Sequence, residues 1–138
     1  MRYSVVLISQ PGAIPWILKK ITRSKWNHVG LIDESGLIRD LDWSGPGTYR
    51  IEDRPGWEFM VLPAVVFNPM VEIVHGSYRY SIWQNLNWIL RKMGIRYRVY
   101  RRYQREQNCV GFIAEIFRCP SWASLSPAEL EEAEKCRY

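Results

Sequence analysis

Long apolar runs are missing from this chain of 138 residues. No stretch approaches the roughly 20 residues that a membrane-spanning helix needs. The apolar run from Val5 to Ile8 stops at Ser9 and Gln10, too soon for the core of a signal peptide. The expectation is a soluble protein, made in the cytoplasm without a signal peptide. Cysteine is scarce. Cys109, Cys119 and Cys136 are spaced too widely for a metal knuckle or a Cys-x-x-Cys redox pair. Reduced thiols are expected, and neither a metal nor another cofactor is called for. Histidine is scarcer still, with only His28 and His75, so a cysteine acting as nucleophile has few bases to choose from. Internal repeats and linkers are absent too, which leaves one domain over residues 1–138.

Aromatic and apolar residues are plentiful. Hydrophobic residues make up 47% of the chain and aromatic ones 14%, which excludes a disordered or fibrous protein. Seven Trp and eight Tyr exceed what a core of this size requires, so some line a groove or cover the core from outside. The net charge of +5 is concentrated between Arg91 and Arg105, a segment without an acid in which Tyr97, Tyr100 and Tyr103 are interleaved. Such a segment suits an anionic polymer. No nucleic-acid-binding motif accompanies it, so a solvated basic loop beside a site is the preferred reading.

Periodicity sets out an α+β order. Ser4 to Ile8 reads as a buried strand. Pro15, at a first helical position, leads a short amphipathic helix with Lys19, Lys20 and Arg23 opposite its apolar face. His28–Asp33 and Leu37–Trp43 form a hairpin around Glu34-Ser35-Gly36, with Asp40 and Asp42 on one face. Ser44-Gly45-Pro46-Gly47 reads as a loop, and Trp57–Val66 as a strand with Pro63 at an edge or bulge. A short helix over 69–75 starts at the Asn68-Pro69 cap, and a longer one over 81–93 ends at Gly94. Asn108 caps a helix whose first turn holds Cys109, and Ser126-Pro127-Ala128-Glu129 is a capping box.

Amide or ester cleavage needs a nucleophile, a base and a group that orients the base. Cys109 is the candidate nucleophile, because a helix N-terminus favours the thiolate. His28, leading an apolar strand, is the candidate base, and His75 reads as a dipole-stabilising residue at a helix end. Asp42 is the preferred orienter, with Asp40 on the same face as the alternative. The backbone N–H of Cys109 is the first oxyanion donor, and Gln10 is a guess for the second. Trp26, Trp43 and Tyr80 are candidates for substrate contact.

The run Trp26-Asn27-His28-Val29-Gly30-Leu31-Ile32 resembles the Ser-His-Val-Gly-Ile-type segment of YiiX/YebB-like permuted papain-like hydrolases. These are relatives of NlpC-type peptidases and of lecithin:retinol acyltransferase. Asp42-Trp43-Ser44-Gly45-Pro46-Gly47 is similar to their polar third position and Gly-containing turn. Tyr78–Ser81, then Cys109 and Phe112, follow in the same order. The resemblance implies a circularly permuted papain-like (NlpC-type) fold, a small antiparallel sheet packed by helices, with a groove between the His strand and the Cys helix. It implies a thiol hydrolase acting on an amide bond, typically a peptide of cell-wall peptidoglycan. A lipid thioesterase or acyltransferase is the alternative within the same superfamily, and a non-catalytic binding or assembly protein is the alternative outside it. A bacterial or phage origin suits the compact size, and a phage-encoded version is expected on the virion. Nucleic acid is not an expected partner.

Overall fold

The β-branched run near the N-terminus becomes the middle of β1 (Arg2–Ser9). In the computed structural model, which describes residues 1–95, 105–123 and 125–131, β1 belongs to a five-stranded sheet of order β4-β3-β2-β1-β5. Its other members are β2 (His28–Asp33), β3 (Leu37–Asp42), β4 (Gly45–Arg50) and β5 (Glu58–Phe67), and every pairing is antiparallel. The helix α1 (Ala13–Thr22) connects β1 to β2. After β5 come α2 (Val71–Val74), β6 (Arg79–Tyr80), α3 (Leu86–Lys92), β7 (Glu106–Gln107), α4 (Cys109–Ile116) and α5 (Pro127–Leu130).

Strand alternation divides the sheet into two faces. Tyr3, Val5 and Leu7 of β1, Val29 and Leu31 of β2 and Leu41 of β3 pack with Phe112, Ile113 and Ile116 of α4 in the main core. Each such side chain, fully buried, contributes about 1.5–3 kcal/mol. Val6, Ile8, Ile38 and Tyr49 form a smaller cluster with Trp57 and Phe59. Tyr49 meets Trp57 edge-on at 5.7 Å between ring centroids, and the Arg54 guanidinium lies 4.5 Å from the Tyr49 ring centre. The chain is thus a small α+β domain, an antiparallel sheet packed by helices.

Several elements differ from the sequence expectation. Ser44-Gly45-Pro46-Gly47 is not a loop. The turn occupies only Trp43 and Ser44, and Gly45, Pro46 and Gly47 already pair with Asp42, Leu41 and Asp40. Proline and glycine are tolerated there because β4 is an edge strand. Pro63 lies where β5 slips against β1, between the pairs Ser4↔Val65 and Val6↔Val61. Pro15 stands two residues inside α1, which begins at Ala13 after Gly12. The helix expected over 69–75 is a single turn, α2, continued by a 3-10 turn over His75–Ser77. The one expected over 81–93 starts as a 3-10 turn before α3. The parallel pairing of β6 with β7 has no signal in such short segments.

Candidate active site

The site is built from the first turn of α4, the start of β2 and the middle of β3. Asn108 caps α4, its Oδ1 accepting from the Gly111 N–H at 2.7 Å while its carbonyl accepts from Phe112 N–H. The Cys109 N–H is therefore outside the helix's own bonding, as first-turn donors are. The cap is itself tied down. Asn108 Nδ2 donates to Asn85 Oδ1 at 3.1 Å, and Asn85 Nδ2 donates to the Tyr80 hydroxyl at 2.8 Å. A Cβ at Gly111 would press on the Gln107 side-chain amide and on the Asn108 side chain that caps the helix. Cys109 is buried and carries a free thiol.

His28 is buried at the first position of β2. Its Nε2 lies 2.8 Å from Asp40 Oδ2, and the Tyr49 hydroxyl donates to the same oxygen at 2.6 Å. Burial by itself disfavours a charged imidazole. Hydrogen bonding and charge from the Asp40 carboxylate and from Cys109 together outweigh it, so the His28 pKa is raised to about 10. Asp40 shows the converse balance. Burial raises its carboxyl, but His28 and the Tyr49 hydroxyl hold it below the usual carboxylate range. With Nε2 committed to Asp40, Nδ1 is the ring nitrogen that is left.

Two glycines make room for Asp40. Gly30 of β2 is its partner on one side and Gly47 of β4 on the other. A Cβ at Gly30 would come within 3.3 Å of the Asp40 Cβ, and one at Gly47 would lie 2.6 Å from Asp40 Oδ1. That Oδ1 is buried without a hydrogen-bond partner among the described residues.

The preferred orienter, Asp42, is not the residue against His28. Asp42 sits half-buried at the β3–β4 turn, where its Oδ1 accepts from the Ser44 N–H at 2.8 Å, and the alternative Asp40 makes the imidazole contact instead. The reason is local: a carboxylate immediately before a tight turn is captured by the turn N–H two residues on. His75 also differs from its expected role. It is buried, its Nε2 donates to the Asp40 carbonyl at 2.7 Å and its ring lies 5.6 Å from Phe112. Burial lowers its pKa, so it is a neutral strut under β3 rather than a cation on a helix dipole.

Trp26 is buried in the main core, with Lys25 Nζ 4.8 Å from its ring centre, while Trp43 is 82% exposed at the β3–β4 turn. Tyr80 is half-buried, and its pKa is pushed up to about 12, by burial first and then by the charge of nearby Cys109. Gln10 is tied to the residue before His28, since its N–H donates to Asn27 Oδ1 at 2.7 Å and its Oε1 accepts from Asn27 Nδ2 at 3.0 Å. Cys119 is disulfide-bonded, contrary to the expectation of reduced thiols, and Cys136 lies outside the described residues. So does most of the Arg91–Arg105 segment, residues 96–104 with Tyr97, Tyr100 and Tyr103 among them.

Sequence reasoning missed Tyr49 and Asn85. The signal for Tyr49 was its alternation with Gly47 and Gly45, concealed by the Gly-Pro-Gly string that resembles a loop. Among the described residues no group of His, Cys, Asp and Glu could hold a metal ion, and no helix is long and apolar enough to cross a membrane. The chain matches no protein-family model, no curated protein and no solved structure.

Proposed function

We propose that this protein is a cysteine hydrolase of the permuted papain-like, NlpC-type class, cleaving an amide bond in cell-wall peptide. What supports the reading is the buried His28–Asp40 pair together with Cys109, buried at the capped N-terminus of α4 and contributing to the raised pKa of His28. A protonated imidazole beside a thiol is the arrangement in which sulfur reacts as an anion. In the proposed reaction Cys109 Sγ attacks the carbonyl carbon, and the Cys109 N–H receives the developing oxyanion. As the C–N bond breaks, His28 gives its proton to the departing amine. Water, deprotonated by His28, then hydrolyses the thioester and returns the thiol. Asp40 holds the ring so that one nitrogen faces the sulfur throughout.

The test is release of soluble peptide fragments from purified peptidoglycan, read by mass spectrometry, beside a panel of acyl thioesters. Cys109→Ala and His28→Ala are expected to abolish turnover in folded protein, and iodoacetamide at neutral pH to label Cys109. Cleavage of thioesters alone moves the substrate to lipids. A wild-type protein that turns over neither and leaves Cys109 unlabelled is a binding or assembly protein instead.

A further inference from the structure

The helix α1 carries Ile14, Ile17, Leu18 and Ile21 at the i, i+3, i+4, i+7 spacing of a stripe that ordinarily packs on a core. Here the stripe is uncovered. No residue of α1 is buried, and Ile14 is 70% exposed, Ile17 50% and Ile21 55%. Trp16, on the opposite side of the helix with Lys20, is 59% exposed, its ring centre 5.4 Å from Lys20 Nζ. Local bonds close the helix on its own segment. Lys19 Nζ donates to the Gln10 carbonyl at 2.7 Å, and Arg23 closes the last turn in the left-handed conformation at φ 54°. Charge in this region has one sign. From Met1 to Ile32 there is no Asp or Glu, while Arg2, Lys19, Lys20, Arg23 and Lys25 all fall there. Lys25 pairs with Glu58 at 3.0 Å, and Lys20 and Arg23 stay exposed on the polar side of the helix.

An exposed apolar stripe and flanking cations, in a run of chain without Asp or Glu, are the recognition features of an anionic lipid surface. We infer that α1 is an interfacial helix, seating the protein on a bilayer of anionic phospholipid with Ile14, Ile17 and Ile21 in the acyl boundary and Lys20 and Arg23 at the headgroups. A second copy suits the surface less well, because it sets one cationic helix against another. The inference rests on α1 and not on the chemistry proposed above. It does bear on that chemistry by position. Gln10, just before the helix, is bonded to Asn27, and Asn27 adjoins His28, so a docked α1 keeps the candidate site near the lipid boundary.

The experiment uses the full chain carrying Cys109→Ala, which separates binding from catalysis. It is sedimented with phosphatidylcholine vesicles with and without phosphatidylglycerol. Association is expected with the anionic vesicles, less with phosphatidylcholine alone, and to weaken as salt is added. Replacing Ile14, Ile17 and Ile21 together by Ser should lower the partition coefficient by about tenfold or more with an unchanged circular-dichroism spectrum. Should that variant misfold, the pair Lys20→Glu and Arg23→Glu provides the test, by removing the preference for anionic lipid. Protein that stays in solution with anionic vesicles overturns the inference, as does a folded Ser variant that sediments like its parent. Light scattering that shows a dimer, split by the Ser substitutions, also overturns it and assigns the stripe to a second copy.

Discussion

Asp40 and Asp42 point to the same side of β3 and differ in what surrounds them. Asp42 answers to its own turn, whereas Asp40 is lodged between two glycines and bonded to His28 and Tyr49. Asp40→Asn is therefore expected to lower turnover by about a hundredfold or more, since the imidazole loses the charge that fixes its tautomer. Asp42→Asn is expected to stay within a few-fold of wild type. Steady-state kinetics on one substrate distinguishes the two, and a larger loss at Asp42 would return the orienting role to that residue. Tyr49 works one step further out. Tyr49→Phe removes a buried donor to the Asp40 carboxylate, so the acid limb of the pH–rate profile should move to higher pH as that carboxylate becomes easier to protonate. A structural role alone would lower stability and leave that limb in place.

Among the elements, α4 has the most to lose at its start. Asn108 is at once the cap and the link to Asn85 and Tyr80. Asn108→Ala is expected to cost about 1–2 kcal/mol in chemical denaturation, and to lower the rate of Cys109 alkylation as the first turn frays. Gly111→Ala places a methyl group against the Gln107 amide in a packed interior. Although Ala is the better helix former by about 1 kcal/mol, this substitution is expected to destabilise the protein, measured as a lower midpoint in urea. A stabilised Gly111→Ala protein would mean that Gln107 can swing aside without loss.

For the whole molecule, the buried His28–Asp40 pair links stability to pH. His28 has a folded pKa of about 10 against an ordinary value of 6.5, so its contribution is complete below about 6.5 and is lost as pH rises through about 10. Asp40 is lowered from 3.8, so its contribution is present above that value and disappears as pH falls through the folded pKa. The thermal midpoint should accordingly decline between neutral pH and pH 10, and the decline should be shallower in a folded His28→Asn protein. An equal slope in both proteins would place the alkaline sensitivity elsewhere.

The sequence by itself determined the local pieces of this protein. β-Branched alternation is a property of neighbours in the chain, so β1, β2 and β3 were legible, as were the Asn108 cap and the capping box at Ser126. The same alternation put Asp40 and Asp42 on one face but could not rank them. Register and turn capture did that, through the pairing of Asp40 with Gly30 and Gly47 and the bond from Asp42 to Ser44. Tertiary structure also decided that Gly45, Pro46 and Gly47 form an edge strand, that His75 is a strut and Trp26 is core, and that the stripe of α1 is left uncovered. In each case the outcome depends on which distant surface arrives at the residue, and a one-dimensional pattern carries no record of that surface.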